Sequence, residues 1–303
     1  TLSLIRQEDR YDATIVPAVS MLPSYTQLGM AALLPNRSLE VTLMNDDAPV
    51  LVDGQSSQGT SNRSKILNAE KAWTGKTLLA EELLAMQREG DDGYRALFRD
   101  NDVVYIYHNR IDDVGHKKDS EERVFEAARD ALDELIKMIR KLSTANVTNM
   151  IVTADHGFIY QNRPLEESDF SASEPEGKDI PYRDRRFVLG RGLVETSGFK
   201  KFTSSAAGLS GDVEMLFPKS ISRLRLKGSG SRYVHGGVSL QEVVLPVIQI
   251  NKKRQSDLRF VEVELLTVGS TVITSGQLAV ALYQAEPVSD KVQPRTLTAG
   301  IYT

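Results

Sequence analysis

The sequence predicts an α/β protein, and two features of its apolar residues support this class. Short apolar runs at 103–107 and 150–152 end abruptly in His, Asp, Asn or Gly, as buried strands do at the carboxyl edge of an α/β sheet. Residues 120–142 carry apolar side chains at helical spacing, which predicts one long amphipathic helix. A chain of 303 residues has room for such a domain and a smaller appendage.

The remaining elements follow from composition and spacing. Further strands are predicted at 39–43, 50–52 and 243–250. Further helices are predicted at about 76–88 and 91–98. The polar stretch 161–182 predicts an excursion over the active-site face. A polar linker at 251–257 precedes predicted strands at 258–266, 270–274 and 278–283. We therefore divide the chain into a main domain, 1–250, and a small β-rich domain, 251–303.

Histidine is rare in this chain, and its distribution is uneven. The four histidines are His108, His116, His156 and His235. Each lies at or just after an apolar run, beside Asp, Asn or Gly. Histidines with purely structural roles would also be expected on surfaces and helices, so this distribution favours a functional site.

Two of these histidines have carboxylates at metal-ligand spacing. Asp155 and His156 directly follow an apolar strand, and a carboxylate beside an imidazole can enter one coordination sphere. Asp112 and His116 lie on one face of a helical turn because they are four residues apart. Asp113 is the competing carboxylate, and a structural role for each pair remains the alternative.

Residues 22–35 predict a helix that begins with Pro, Ser and Thr and ends at Pro35. A hydroxyl in the first turn of a helix meets free backbone N–H groups, where an attacking oxygen and a phosphate are both stabilised. Taken alone, an ordinary helix cap explains the segment better.

Together these motifs resemble the alkaline phosphatase superfamily, and they are similar to cofactor-independent phosphoglycerate mutases in their order. The motifs are Thr26-x-x-Gly29, Asp112-x-x-Gly115-His116, Thr153-Ala154-Asp155-His156-Gly157 and His235. The phrases at 23–35, 107–112 and 235–246 resemble the PglZ proteins of bacterial anti-phage (BREX) defence more closely still. The resemblance covers about residues 13–250 and implies an alkaline-phosphatase-like α/β/α sandwich followed by the small C-terminal β domain.

The resemblance also implies a site with two divalent metal ions, expected to be Zn with Mn as a substitute. One metal is matched by Asp112, His116 and His235. The other is matched by Asp155, His156 and Thr26, which is also the implied nucleophile. Ser20 and Ser24 are competing hydroxyls, and the x-x-Gly spacing favours Thr26. His108 receives no ligand role.

One departure from the superfamily concerns a further metal-binding Asp, expected at the end of the first strand before the nucleophile. Asp9 and Asp12 lie in a stretch too polar for a central buried strand. The chain also does not begin with Met. We therefore expect a fragment that lacks one strand and one ligand of the second metal, which leaves open whether it is active by itself.

The expected function is that of a phosphatase or phosphodiesterase-type hydrolase domain in BREX defence, with a phosphate ester as substrate and other BREX proteins as partners. The alternative is a non-catalytic assembly module with a structural or vestigial metal site. Hydrolysis of a nitrophenyl ester that a chelator abolishes would distinguish the two.

Composition restricts these possibilities. The net charge of −4 gives no global signature of nucleic-acid binding. A local cluster of Arg183, Arg185, Arg186 and Arg191 could bind phosphate, although simple solvation is the preferred interpretation. The absence of Cys excludes disulfides and thiolate zinc sites. No membrane span or signal peptide is visible, so cytoplasmic location is the default expectation.

Overall fold

The structure is a computed structural model that divides into two compact units, Thr1–Lys252 and Lys253–Thr303. The residues it describes are 1–6, 10–44, 46–69, 72–90, 93–226, 231–253, 259–266, 280–289, 292–298 and 300.

The helices are mostly short, apart from one of 21 residues. They are α1 (Leu2–Arg6), α2 (Thr26–Ala32), α3 (Gly59–Leu67), α4 (Ala80–Ala85), α5 (Tyr94–Asp100), α6 (Arg110–Gly115), α7 (Val124–Thr144) and α8 (Leu240–Val243). Single 3-10 turns lie at Glu121–Arg123, Glu167–Asp169 and Ser205–Ala207. None of the described helices is long and apolar enough to span a membrane.

The strands of the first unit are β1 (Tyr11–Val19), β2 (Leu39–Val41), β3 (Val50–Val52), β4 (Gln55–Ser56), β5 (Gly75–Leu79), β6 (Val103–Tyr107), β7 (Asn149–Val152), β8 (Ile159–Tyr160), β9 (Glu176–Arg183), β10 (Val188–Val194), β11 (Phe199–Thr203), β12 (Glu214–Pro218), β13 (Tyr233–Val234) and β14 (Val244–Lys252). Those of the second unit are β15 (Arg259–Phe260), β16 (Val263–Leu266), β17 (Ala281–Gln284) and β18 (Val292–Gln293).

Two sheets support the site. In the first, β14 lies between β1 and β7 and pairs antiparallel with both. In the second, β5 and β6 pair in parallel. Their side chains are mostly β-branched or aromatic, which favours extended backbone. The carboxyl ends of β6 and β7 lead directly into the two predicted ligand motifs.

The long helix α7 covers one face of these sheets. Its buried face has helical spacing and includes Val124, Ala127, Ala131, Met138, Ile139 and Leu142. Part of that face packs in one core with Met150 of β7 and with Ile248 and Ile250 of β14. The helix predicted at 120–142 is therefore confirmed, with the 3-10 turn at Glu121–Arg123 preceding it.

The last part of the predicted excursion, from Glu176, belongs to β9 of a four-stranded antiparallel sheet in the order β11-β12-β10-β9. Phe187 and Phe217 pack on one face of this β9–β12 sheet, against Leu28 of α2. Val188 and Phe199 form a separate apolar cluster. The β9–β12 sheet therefore shares one apolar cluster with α2 and has a second cluster of its own.

The helix predicted at 76–88 is wrong in its first part, because 75–79 form strand β5. Thr77 and Leu78 are buried, and the whole segment pairs with β6. Helix α4 begins only at Ala80, where the Glu82 carboxylate accepts a hydrogen bond from Leu79 N at 2.7 Å. The tertiary ladder therefore overrides a locally helical composition.

The strand predicted at 50–52 is confirmed as β3, and the other predicted elements of the first unit are present with shifted bounds as α5, β2 and β14. In the second unit, β15 pairs in parallel with β18, and β16 pairs antiparallel with β17. The strand predicted at 258–266 is divided into β15 and β16. The prediction at 278–283 overlaps β17, and the one at 270–274 lies outside the described residues. The fold class is α/β, as the sequence predicts.

Candidate metal centre

Three of the predicted ligands come together from distant parts of the chain. One ligand atom each from Asp112, His116 and His235 lies within 4.8 Å of the other two. The Nε2 atoms of His116 and His235 are 3.0 Å apart. Two imidazole nitrogens and a carboxylate facing one point form a donor set suited to a divalent metal.

Helix α6 positions the first two of these side chains. It begins three residues after β6, and His116 N donates to Asp112 O at 3.0 Å, which sets both residues on one turn. Gly115 lies between them, and a Cβ there would be 2.5 Å from the ring of Tyr233. The glycine of this motif therefore allows the Tyr233 ring to pack against the turn.

Asp155, His156 and Thr26 form an adjoining group. The Thr26 hydroxyl lies 3.0 Å from Nε2 of His156, and the Asp155 carboxylate lies 3.3 Å from the same nitrogen. Nδ1 of His156 faces the carbonyl of Gly157 at 3.0 Å. Because a carbonyl only accepts, Nδ1 carries a proton. Burial opposes a charged ring, but the carboxylates of Asp112 and Asp155 raise the pKa of His156 above its ordinary value.

The two groups are in contact with each other. The rings of His156 and His235 stack with centroids 3.9 Å apart, and Asp112 lies 3.6 Å from Nε2 of His156. The five predicted ligands and Thr26 therefore form one continuous cluster.

A close approach of α2 to the end of β7 brings Thr26 to this cluster. A Cβ on Gly29 would lie 2.7 Å from the carbonyl carbon of Asp155. Only a glycine lets the helix approach that backbone, so the Thr26-x-x-Gly29 spacing has a packing reason. Thr26 is the first residue of α2.

The electrostatics favour the metal-binding protonation state at Asp112 and His235 but not at Asp155. Burial opposes ionisation of Asp112, but the His156 hydrogen bond and nearby His235 lower the pKa of this carboxyl below its usual range. Burial raises the pKa of Asp155, with His156 opposing and Asp112 adding to the shift. Burial lowers the pKa of His235 to about 3, so its imidazole is neutral at pH 7. Ionised carboxylates and neutral imidazoles are the forms that bind metals.

The donor chemistry fits a divalent cation. The buried Oδ2 of Asp155 has no hydrogen-bond partner among the described residues. An unsatisfied buried carboxylate oxygen is costly, and a coordinated cation would satisfy it. Mixed nitrogen and oxygen donors are the set that Zn commonly takes in proteins.

Several candidates lie outside the cluster. His108 pairs with Glu134 at 2.6 Å, and exposed Asp113 pairs with Lys117 at 3.0 Å. Asp12 is exposed near the start of β1, and Asp9 lies outside the described residues.

The arginine cluster is not one surface. Exposed Arg183 pairs with Glu174 and exposed Arg191 with Asp212, which agrees with a solvated role. Arg185 and Arg186 are instead buried.

The two competing serines have different surroundings. Ser24 Oγ is buried and donates to Gly237 O at 2.7 Å. Ser20 Oγ is buried without a hydrogen-bond partner among the described residues, and its backbone N donates to Val243 O.

Sequence reasoning missed Tyr233, whose hydroxyl donates a hydrogen bond to Asp112. The signal was present, because Tyr233 and His235 are two residues apart in an extended segment and so project to one side of it. Sequence reasoning also missed the pairing of buried Arg186 with Glu242, for which the sequence carried no comparable signal.

An α/β fold whose strand ends carry these Asp and His side chains defines an alkaline phosphatase-like protein. Residues 1–250 match the family described as the BREX system PglZ alkaline phosphatase-like domain. The chain therefore belongs to the PglZ family.

Two relatives extend this result. The alkaline phosphatase-like protein BrxZ of Escherichia coli O9:H4 (strain HS) is 36% identical over 306 residues, covering 98% of this chain and 34% of that protein. The alkaline phosphatase-like protein PglZ of Bacillus cereus (strain H3081.97) is 33% identical over 302 residues, covering 97% and 34%. This chain thus spans about a third of the length of either relative.

Among solved structures, murine ectonucleotide pyrophosphatase/phosphodiesterase 5 is similar with a TM-score of 0.34 and 13% sequence identity. The similarity covers 64% of this chain and 52% of the murine chain. Similarity at this level carries no functional inference.

Proposed function

We propose that this chain is the hydrolase domain of a metal-dependent phosphatase or phosphodiesterase, with Thr26 as the nucleophile. The 3.0 Å contact between the Thr26 hydroxyl and Nε2 of His156 is the observation that carries the proposal. Ser24 is a weaker candidate because its buried hydroxyl is already used by the carbonyl of Gly237.

The chemistry follows from this position. The Thr26 oxygen would attack phosphorus and release its proton, a new bond from Oγ1 to phosphorus would form, and the bond to the leaving alcohol would break. The departing alcoholate takes up a proton. Water then attacks phosphorus, the bond from Oγ1 to phosphorus breaks, the Thr26 oxygen takes up a proton, and the phosphate product leaves.

The residues that would hold two metals fall into the two groups already described. Asp112, His116 and His235 would hold one ion, and Asp155, His156 and Thr26 the other. Bound divalent ions would supply a lower pKa for the attacking hydroxyl and a counter-charge for the phosphoryl oxygens. Zn is the expected metal and Mn the substitute, because the donors are imidazoles and carboxylates.

Nitrophenyl esters test the activity. The metal-free chain is supplied with Zn²⁺ or Mn²⁺ and offered p-nitrophenyl phosphate and bis(p-nitrophenyl) phosphate. We expect nitrophenolate release that a chelator abolishes and added metal restores. Release that is insensitive to the chelator would contradict the proposed role of the metals.

The alternative function is a non-catalytic assembly module with a structural metal. The second ligand group supports it, since the one set of three Asp and His donors found among the described residues is that of Asp112, His116 and His235. A folded chain that binds Zn²⁺ tightly but cleaves neither ester would favour this alternative.

Family membership supports two further proposals. We propose that other BREX proteins are partners of this domain and that it acts on a phosphate ester in the cytoplasm. The net charge of −4 offers no general support for nucleic acid as the partner.

A further inference from the structure

A fully buried ion pair joins the connection between β9 and β10 to α8. Arg186 and Glu242 both have 0% of their side-chain surface exposed. Nε and Nη2 of the guanidinium donate to the two carboxylate oxygens at 2.9 and 3.0 Å, in a fork arrangement. Nη1 donates to the carbonyls of Ser220 and Ser222. A buried pair is tolerated only when its remaining donors and acceptors are also satisfied, as they are here.

Glu242 connects this pair to two loops of the proposed metal centre. Its carboxylate accepts hydrogen bonds from Gly237 N at 2.9 Å and from Ser239 N at 3.2 Å. Gly237 follows His235 by two residues. The backbone carbonyl of Glu242 accepts from Gly157 N at 2.8 Å, immediately after His156.

Ser24 holds the same segment from the opposite side. Its hydroxyl donates to Gly237 O at 2.7 Å, and its backbone N donates to Gly236 O at 3.3 Å. The segment 235–239 is therefore fixed between Ser24, two residues before Thr26, and Glu242. This places His235 between two anchors that come from distant parts of the sequence.

We propose that Arg186 and Glu242 form a positioning pair that holds the His235 imidazole toward Asp112 and His116. The inference rests on the proposed function, because it takes His235 to be a metal ligand. Without Arg186, the Glu242 carboxylate would be buried with no counter-charge, and its hold on Gly237 would weaken. The connection between β9 and β10, which carries Arg186, therefore contributes to the support of the metal centre.

The Zn²⁺ affinity of the chain tests this role without reference to catalysis. Glu242→Gln keeps the shape of the side chain but removes the charge that matches Arg186. We expect isothermal titration of Zn²⁺ into the metal-free variant to show weaker binding at the site that includes His235. Its dissociation constant should be about 10-fold or more larger than in the native chain, as for other residues that support metal ligands.

Glu214→Gln is the matched control. Glu214 is partly buried, whereas Glu242 is fully buried. It pairs with Lys201 at 2.7 Å and accepts from Leu193 N at 2.7 Å, and these partners lie within the β9–β12 sheet. We expect its Zn²⁺ affinity to be unchanged, although the variant loses an ion pair of similar chemistry. Circular dichroism at the titration temperature confirms that each variant is folded.

A second variant keeps the test decisive if Glu242→Gln does not fold. Ser24→Ala removes a single hydrogen bond to Gly237 O and should also weaken Zn²⁺ binding. The inference is overturned if Glu242→Gln folds and binds Zn²⁺ with native affinity. If Glu242→Gln does not fold, native Zn²⁺ affinity in Ser24→Ala overturns the inference instead. A native chain that binds no Zn²⁺ overturns the proposed function itself, and the two failures are thus distinguished.

Discussion

The surroundings of the hydroxyl groups distinguish the candidate nucleophiles at the residue scale. The hydroxyl of Thr26 faces an imidazole nitrogen at 3.0 Å, whereas that of Ser24 is bound to a buried carbonyl. A nucleophile needs an oxygen that can reach substrate and a nearby group that orients it. The geometry therefore supports Thr26 for the same reason as the motif spacing does.

Thr26→Ala should abolish hydrolysis and leave the fold intact. The nucleophile and one proposed donor of the second metal are lost together, so we expect nitrophenolate release to fall about 1,000-fold or more. The unfolding free energy should change by no more than about 0.5 kcal/mol, because Thr26 is only half-buried. Thr26→Ser is the control and should retain part of the rate. Full activity in Thr26→Ala would transfer the nucleophile to another hydroxyl.

The ionisation of Glu242 predicts how stability depends on pH. Burial opposes its ionisation, but the hydrogen bonds and charge of Arg186 lower the pKa of Glu242 below the ordinary 4.5. The folded pKa is thus below the unfolded one, so the stabilisation is present above about pH 4.5 and is lost as pH falls through the folded pKa.

The expected result is a pH-dependent difference between native protein and Glu242→Gln. Urea unfolding should show Glu242→Gln less stable near pH 7, by about 3–5 kcal/mol for a broken buried pair. The difference should shrink as the solution is acidified below about pH 4.5. A difference that stays constant with pH would show that the charge of Glu242 is not what stabilises the fold.

At the scale of elements, the packing of α2 against the end of β7 determines where Thr26 lies. The two elements meet at Gly29 and the backbone of Asp155, with no room for a side chain. The helix has only seven residues, so its position depends on this contact and on the buried Leu28 and Ala31 rather than on its own propensity.

Gly29→Ala should therefore destabilise the fold and displace the nucleophile together. We expect a loss of about 1–3 kcal/mol in the free energy of unfolding, typical of a methyl group forced into a packed site, with a lower rate of ester hydrolysis. Gly198→Ala is the control, because a Cβ there meets side-chain atoms rather than backbone, with the Ser173 hydroxyl nearest at 3.2 Å. Equal stability of the two variants would contradict the close packing of α2.

At the scale of the whole molecule, the two ligand groups are unequal. Asp112, His116 and His235 supply three protein side chains that already face one point. The other group has two such side chains and the Thr26 hydroxyl among the described residues. Metal affinity rises with the number of preformed ligands.

Zn²⁺ titration of this chain should consequently show one tight site and one weak one. His235→Ala should weaken the tight site more than the other, since only the first group loses a ligand. Calorimetry gives both affinities, and elemental analysis gives the stoichiometry. Two equally tight sites in this chain would mean that a further ligand, such as Asp12, reaches the second group.

Features that depend on neighbouring residues could be predicted from the sequence alone. Helical periodicity predicts α7, and apolar runs that end in Asp and His predict the carboxyl ends of β6 and β7. The spacing of Asp112 and His116 predicts that they share a turn, which α6 provides. The order of the motifs indicated the alkaline phosphatase superfamily, and the phrases at 23–35, 107–112 and 235–246 were sufficient to identify the PglZ family. Each of these patterns is local, so no knowledge of packing is required to read it.

Features that depend on residues far apart in the chain became visible only in the folded structure. It made 75–79 a strand, because the ladder with β6 outweighs a composition that favours helix. It also brought the Tyr233 hydroxyl to Asp112 and buried Arg186 against Glu242, 56 residues away. A surface arginine and a buried one look the same in a sequence. What distinguishes them is whether a distant carboxylate offsets the cost of removing the charge from water.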